Sequence, residues 1–210
     1  MRLLLVLLYL NLSSVGLSQD ERFIRKEVIR QSKLKKVFKE KKEAKWSLWS
    51  KHYLLDLNQD GYKERIQFNQ RDGTDYIVVY EDDLSKVFEA PMKTWIGGGR
   101  PYKLRLVNLD KEVMCLIIYY YEGNFDIIRT QTSSRLYFLT IDKKNLNKMY
   151  LQRGPQILDE TKNLNGHYHV RNYKVKVIDF NDDGHKSIGI FYGLTSKIYE
   201  YHGKGKWVLL

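Results

Sequence analysis

The chain has 210 residues, of which 43% are hydrophobic, a formal net charge of +11 and a single cysteine. This length is enough for one sizeable domain with a hydrophobic core. A lone cysteine excludes an internal disulfide, so the stability of the fold must come from packing or from another source such as a bound metal.

The N-terminal residues have the order of a secretory signal peptide. A positive start is followed by the apolar run Leu3–Leu12, and small residues follow up to Ser18. This pattern predicts a signal peptide over residues 1–18, cleaved near Ser18. The apolar run is shorter than the roughly 20 residues that a spanning helix needs, and an uncleaved N-terminal anchor is the alternative. We therefore expect a secreted or periplasmic protein.

Residues 19–50 are predicted to form a basic amphipathic helix with an aromatic linker. Residues 20–45 hold eleven Lys or Arg against five Asp or Glu, without Gly or Pro. Apolar residues recur at spacings of three and four: Phe23, Ile24, Val28, Leu34, Val37 and Phe38. Such a helix either packs its apolar stripe on the domain or lies on a membrane surface. Trp46 and Trp49 suit both interpretations.

The excess of positive charge bears on the class of partner. Nucleic acid is not an expected partner for an exported protein. Anionic surfaces are, in the form of lipid head groups, cell-wall polymers or acidic polysaccharide, and a protein partner also stays open. The segment 20–45 is the candidate for peripheral membrane contact.

From His52 onward, runs of Val, Ile, Tyr and Phe alternate with short Gly, Asp and Asn clusters, which is typical of antiparallel sheet. The predicted strands are Ile66–Phe68, Tyr76–Tyr80, Lys103–Val107, Cys115–Tyr120, Arg135–Ile141, Lys174–Ile178, Ile188–Tyr192, Lys197–Tyr201 and Trp207–Leu209. Cys115 lies in an apolar run and is expected in the core. Residues 51–210 are thus predicted to form a mainly β, antiparallel repeat domain preceded by the helix.

A repeat is visible when the strands are aligned by the acidic segments that follow them. The first loop is Asp56–Glu64 and the third loop is Asp179–Ser187. The middle segment, Asn108–Val113, resembles a degenerate copy of these loops that lacks the glycine. Each copy is entered from one strand and left into another, so the three copies indicate three similar units.

The first loop has the pattern of a calcium site. Asp56, Asn58 and Asp60 place oxygen atoms at alternate positions of a tight turn, Tyr62 offers its carbonyl, and Glu64 closes the shell. Calcium takes six to eight such hard oxygens. An EF-hand would need a glutamate at position 12 and flanking helices, whereas this position is glutamine and both flanks are predicted strands.

The third loop repeats the pattern with one change at its end. Its expected ligands are Asp179, Asn181 and Asp183, with His185 offering its backbone and Ser187 standing where a carboxylate is expected. Fewer carboxylates predict weaker binding than in the first loop. In both loops the alternative is an Asx-rich turn without metal.

The two loops resemble the calcium loops of FG-GAP/VCBS repeats, the integrin-alpha type. The resemblance implies that each copy opens one blade of a β-propeller, that calcium is bound, and that the protein serves adhesion or ligand recognition. A closed propeller needs at least about four blades. We therefore expect an incomplete, propeller-like arrangement of about three blades, a curved stack of sheets, or a sandwich with the helix over an exposed edge.

No catalytic motif of the common families is present. His167 and His169 share one side of a strand-like stretch, but no third ligand stands at a supporting spacing. We expect an exported, non-catalytic, calcium-stabilised binding or adhesion protein. The alternatives are a membrane- or wall-associated protein that binds through residues 20–45, and a polysaccharide-active enzyme, since glycosidase carboxylate pairs are not visible in sequence spacing.

Overall fold

A computed structural model describes residues 51–94, 99–125, 130–162, 167–180 and 182–210. The predicted signal peptide 1–18 and the basic segment 19–50 lie outside these residues. Over the ranges that are described, no helix combines the length and the apolar character needed to cross a membrane.

The fold is mainly β and its sheets are antiparallel. The strands of the described chain are β1 (Lys51–Leu55), β2 (Glu64–Arg71), β3 (Thr74–Tyr80), β4 (Lys86–Met92), β5 (Arg100–Asn108), β6 (Met114–Phe125), β7 (Thr130–Ile141), β8 (Met149–Lys162), β9 (Tyr168–Asn172), β10 (Lys174–Asp179), β11 (Lys186–Tyr192), β12 (Thr195–Tyr201) and β13 (Trp207–Leu209). Two short 3-10 helices, Asp142–Lys144 and Leu146–Lys148, connect β7 to β8.

The strands form three sheets in chain order: the first sheet (β1–β4), the central sheet (β5–β9) and the third sheet (β10–β13). Within each sheet, every strand pairs antiparallel with its neighbour in sequence, so each sheet is a simple meander. The turn between β2 and β3 shows the local cause. Asp72 and Gly73 both have positive φ, at 50° and 73°, which matches the twist of a two-residue hairpin.

The central sheet is covered on both faces. Met114, Leu116 and Ile118 of β6 lie in one core cluster with side chains of the first sheet. Cys115 and Ile117 lie in the other cluster with side chains of the third sheet. Successive residues of a strand point to opposite faces, so this alternation places the central sheet between the other two.

Aromatic residues carry much of the packing between the layers. Phe138 of the central sheet lies 4.6 Å from Trp207 of the third sheet, measured between ring centroids. On the opposite face, Phe68 of the first sheet and Tyr120 of β6 have ring centroids 6.1 Å apart. Such pairs add about 0.5–1.5 kcal/mol each beyond the burial of their area. The layers are therefore held by packing, in a chain whose single thiol, Cys115, is buried and free.

Candidate metal-binding loops

The three acidic segments occupy equivalent places in the three sheets. The first loop connects β1 to β2, the middle segment connects β5 to β6, and the third loop connects β10 to β11. Each therefore joins the first two strands of its own sheet. The sequence repeat and the sheet repeat coincide at these three connections.

The first loop is folded around Asp56. Its Oδ1 accepts a hydrogen bond from the Asp60 N–H at 3.2 Å, and its Oδ2 accepts one from the Gly61 N–H at 3.0 Å. Gln59 and Gly61 have positive φ, 63° and 95°, which turns the backbone tightly enough for both donors to reach one carboxylate. Asp60 in turn accepts from the Tyr62 N–H at 2.8 Å.

The third loop has the same geometry. Asp179 accepts from the N–H groups of Asp183 and Gly184 at 3.2 and 2.9 Å. Asp183 accepts from the His185 N–H at 2.8 Å. Asp182 and Gly184 have positive φ, 56° and 85°, at the positions that Gln59 and Gly61 hold in the first loop. The described residues of the third loop thus repeat the hydrogen bonds and the positive φ values of the first loop.

The two loops differ at the residue that would close a cation shell. Glu64 is 2% exposed and stands at the start of β2, where its Oε2 accepts from the Leu57 N–H at 2.6 Å. Ser187, the equivalent residue, is 6% exposed and brings a hydroxyl instead of a carboxylate. Asn181, the remaining predicted ligand of the third loop, lies outside the described residues.

The surroundings of Glu64 disfavour its ionised form. Burial raises the pKa of its carboxyl above the ordinary value, two backbone N–H groups oppose that rise, and the nearby negative charges of Asp60 and Asp56 add to it. Among the residues that the structure describes, no Lys, Arg or His forms an ion pair with Glu64. A buried carboxylate without a counter-charge is costly, and a bound cation would remove that cost.

The fit of the first loop to a cation is a matter of donor chemistry. Three carboxylates, one amide oxygen and one main-chain carbonyl are hard oxygen ligands of the kind that calcium takes. As folded, Asn58 turns its Nδ2 to the Asp60 Oδ2 at 2.7 Å, and its Oδ1 accepts from the Asp60 N–H at 3.1 Å. In this arrangement no three His, Cys, Asp or Glu side chains of the described ranges converge as a metal site. Cation binding requires the Asn58 amide to present its oxygen instead.

The middle segment is a shorter turn. Asp110 Oδ1 accepts from the N–H groups of Glu112 and Val113, both at 2.7 Å, and Leu109 N–H donates to the Val113 carbonyl at 2.9 Å. This closed turn contains neither the glycine nor the run of oxygen ligands of the other two loops. Its side chains make contacts to the neighbouring loops.

These contacts connect the three segments in a row. Gln59 of the first loop donates to Asn108 Oδ1 at 3.1 Å, and Lys144 Nζ donates to the Gln59 Oε1 at 2.8 Å. From the third loop, His185 Nδ1 lies 3.4 Å from Asp110 Oδ2. The Lys186 N–H donates to the Leu109 carbonyl at 2.8 Å. A change that stabilises the conformation of one segment can therefore stabilise its neighbour through these contacts.

Sequence spacing did not identify two further acidic residues beside the first loop. Glu81 and Asp82, from the connection between β3 and β4, line a cleft of about 450 Å³ together with four residues of the first loop and Lys144. The four are Asn58, Asp60, Tyr62 and Glu64. The sequence pattern that could have indicated them is the acidic run after β3, but such a run by itself only predicts a solvated turn.

The other predicted candidates lie apart from these loops. His167 and His169 are exposed, at the start of β9. Two buried carboxylates of the central sheet bear on the glycosidase alternative. Glu160 accepts from Thr132 Oγ1 at 2.8 Å, and Glu122 accepts from Ser133 Oγ at 3.4 Å. Because Thr132 and Ser133 are consecutive in β7, the two carboxylates lie on opposite faces of the sheet and do not face each other across one cleft.

Comparison of the chain with protein-family models, with curated proteins and with solved structures finds no match. The resemblance to FG-GAP/VCBS repeats therefore depends on the residues of the loops themselves.

Proposed function

We propose that this chain is an exported, non-catalytic β-repeat protein whose acidic loops bind calcium and whose role is binding or adhesion. In this proposal the three sheets are degenerate repeats of the FG-GAP/VCBS type in an incomplete, propeller-like arrangement. The observation that carries the proposal is Glu64, a buried carboxylate at the closing position of the first loop with no cationic partner in the described ranges.

The charge of the first loop supports a cation at that position. Asp56, Asp60 and Glu64 bring three negative charges into one tight turn. Each oxygen that accepts a backbone N–H retains a lone pair, so the hydrogen bonds orient the carboxylates without exhausting them. The repetition of the same turn around Asp179 is a second, independent instance. We expect weaker binding there because Ser187 replaces the closing carboxylate.

The row of contacts gives the cation a structural role. Gln59 lies in the turn that calcium would order, and its side chain bonds to Asn108 of the central sheet. A cation in the first loop would therefore strengthen the junction between two layers as well as one hairpin. This suits a fold without disulfides that works outside the cell.

The test is a thermal melt of the protein in EDTA and across a calcium titration. At a calcium concentration ten times the dissociation constant, binding adds about 1.4 kcal/mol to the free energy of unfolding. The double variant Asp56→Ala/Asp60→Ala is expected to lose this gain. A control, Asp83→Ala/Glu112→Ala, removes two exposed acids outside the ligand set and is expected to keep it. Identical melts of the natural protein with and without calcium would show both loops to be ordinary turns.

A further inference from the structure

A second cleft lies where the three acidic segments meet, on the side of the edge strand β5. Its volume is about 410 Å³, within the range of roughly 300–1,000 Å³ that small-molecule sites occupy. Its lining comes from all three sheets and includes Gln59, Arg105, Asn108, Met114, Val177 and Lys186. We propose that this cleft binds an acidic saccharide unit of the uronic-acid kind, with the carboxylate between Arg105 and Lys186. The proposal specifies the ligand of the binding role proposed above.

The two cations are available to a ligand. Arg105 and Lys186 are both exposed, and in the described part of the chain neither has an acidic side chain within salt-bridge distance. Arg105 lies near Tyr119, where its positive charge opposes the rise that burial gives to the pKa of the Tyr119 hydroxyl, and a neutral phenol does not neutralise the guanidinium. Guanidinium and ammonium groups form charge-assisted hydrogen bonds to carboxylates. A cleft with two such groups on its rim selects an anion.

The remaining lining indicates more than an anion. Val107 and Val177 are both half-buried and line the cleft, which gives an apolar surface for the C–H face of a sugar ring. Asn108 and Gln59 bring amide groups to the same cleft. Asn108 uses its oxygen to accept from Gln59, so its amide nitrogen keeps two N–H donors for hydroxyl groups. A free phosphate would use the cations alone, whereas a uronic acid unit would use all three kinds of surface.

The acidic loops beside the cleft couple its affinity to calcium. Gln59 belongs to the first loop, and Lys186 pairs in the β10–β11 ladder with Asp179, the first residue of the third loop. Without a cation, these loop carboxylates lower the positive potential at the cleft. Calcium in the loops neutralises them and also orders Gln59, so the saccharide binds more tightly. By linkage, the saccharide must then raise the affinity for calcium by the same factor.

The experiment is isothermal titration calorimetry of the purified protein with digalacturonate, in EDTA and in calcium. Arg105→Gln and Lys186→Gln are each expected to weaken binding about tenfold, the loss for one charge-assisted hydrogen bond. Lys197→Gln, which removes an exposed lysine of the same third sheet outside the cleft, is expected to bind as the natural protein does. The methyl ester of digalacturonate, which has the same shape without the charge, is expected not to bind.

Each contrary result overturns a defined part of the proposal. Absence of binding, or equal binding by both cleft variants, would exclude the cleft as the site. Equal binding of the methyl ester would exclude recognition of the carboxylate. Displacement of digalacturonate by inorganic phosphate at equal concentration would exclude the saccharide class and leave an oxyanion site. Equal affinity in EDTA and in calcium would exclude the coupling.

The calcium melt separates this proposal from the proposed function. The two cleft variants are expected to retain the calcium-dependent rise in melting temperature, because neither residue belongs to a loop ligand set. Loss of saccharide binding with an intact calcium response confirms the assignment to the cleft. A natural protein that binds digalacturonate in EDTA but does not respond to calcium would refute the calcium role and leave the cleft standing.

Discussion

Replacing Glu64 by glutamine distinguishes a cation ligand from an ordinary hydrogen-bond acceptor. Glutamine has nearly the same shape and keeps an oxygen that can accept from the Leu57 N–H, now 2.6 Å from the carboxylate. What it removes is a negative charge in a side chain that is 2% exposed. In EDTA at neutral pH we expect Glu64→Gln to be at least as stable as the natural protein. In calcium we expect it to be less stable.

The direction in EDTA follows from the pKa. Burial first, and the charges of Asp60 and Asp56 after it, raise the pKa of Glu64 in the folded protein. In the unfolded chain the pKa is about 4.3. Keeping Glu64 ionised therefore costs folding free energy above the folded-state pKa, and that cost disappears as the pH falls through the raised pKa to the unfolded value. The advantage of the variant over the natural protein should shrink over the same interval.

The size of the effect in calcium follows from linkage. At ten times the dissociation constant the natural protein gains about 1.4 kcal/mol, and the variant gains little because it lacks the closing ligand. For a chain of this length about 1 kcal/mol corresponds to roughly 2–4 °C, so the two melting temperatures should separate by about 3–6 °C. Calorimetric melts at several pH values, each in EDTA and in calcium, measure both parts.

A matched control is Glu160→Gln in the central sheet. Glu160 is 6% exposed and accepts hydrogen bonds from Thr132 and Tyr168, far from any acidic loop in sequence. Its substitution should change stability equally with and without calcium. If Glu64→Gln behaves in the same way, lowering the melting temperature by one amount in both buffers, then Glu64 is only an acceptor for the backbone and the reasoning is refuted.

Three further predictions test the layers and the core. Leu57→Ala should lower the free energy of unfolding in urea by about 2–5 kcal/mol, because Leu57 is fully buried between two sheets. Phe180 is 57% exposed at the equivalent position, so Phe180→Ala should change the free energy of unfolding by no more than about 0.5 kcal/mol. Equal losses would show that Phe180 is packed as Leu57 is. The Cys115 thiol should react with a thiol reagent only as the protein unfolds, because complete burial raises its pKa far above the usual value; rapid labelling of the folded protein would contradict its place in the core. Gly123→Ala should lower the free energy of unfolding by more than about 1 kcal/mol in thermal melts, because φ is +142° and an added Cβ would lie 2.5 Å from a main-chain oxygen of β7. Gly73→Ala should cost less, because the space around Gly73 is open.

The sequence was most informative where strands are rich in Val, Ile, Tyr and Phe. All nine predicted strands, from Ile66–Phe68 to Trp207–Leu209, lie within observed strands. Their composition suits a pleated, half-buried surface, so local pattern and tertiary environment favour the same structure. The predicted ends were short by up to five residues, as at the C-terminal end of β6 and the N-terminal end of β7, where polar residues continue the ladder.

Four observed strands, β1, β4, β8 and β9, were not predicted, and two of them, β4 and β8, contain a proline. Pro91 lies in β4, an edge strand of the first sheet. A strand at the edge has a neighbour on one side only, so a residue without an N–H is tolerated there. Pro155 follows Gly154 inside β8, a central position. There the register between β7 and β8 shifts around Arg135, which is a bulge that accommodates the proline. Local chemistry argued against a strand in both places, and sheet context decided otherwise.

The two acidic loops could be predicted from their spacing, but their neighbours could not. Gly61 and Gly184 adopt the positive φ that the motif requires of its glycine. In contrast, the contact from Gln59 to Asn108 joins residues 49 positions apart, and it depends on how the first sheet packs on the central one. The cleft between Arg105 and Lys186 has the same origin. Motifs report local turns, whereas binding surfaces between layers depend on packing that no spacing encodes.

The second residue of each acidic segment connects loop geometry with the stacking of the sheets, and it leads to a last prediction. Leu57 is 0% exposed and lies in the core between the first and central sheets, and Leu109 is 3% exposed and lies in the core between the central and third sheets. Phe180, at the same position of the third loop, is 57% exposed. A cation that orders the first loop therefore also holds Leu57 against the central sheet. In the third loop the same cation would order one hairpin.

Calcium should consequently protect different parts of the chain through the two loops. With Asp179→Ala/Asp183→Ala, hydrogen exchange in calcium should quicken mainly at the ends of β10 and β11 that flank the third loop, because the exposed Phe180 does not anchor that loop in a core cluster. With Asp56→Ala/Asp60→Ala, exchange should quicken in β1, β2 and also in β6, whose side chains share the core with Leu57. Equal, purely local effects of the two double variants would mean that the loops do not transmit order between layers, and the structural role proposed for calcium would then be confined to single hairpins.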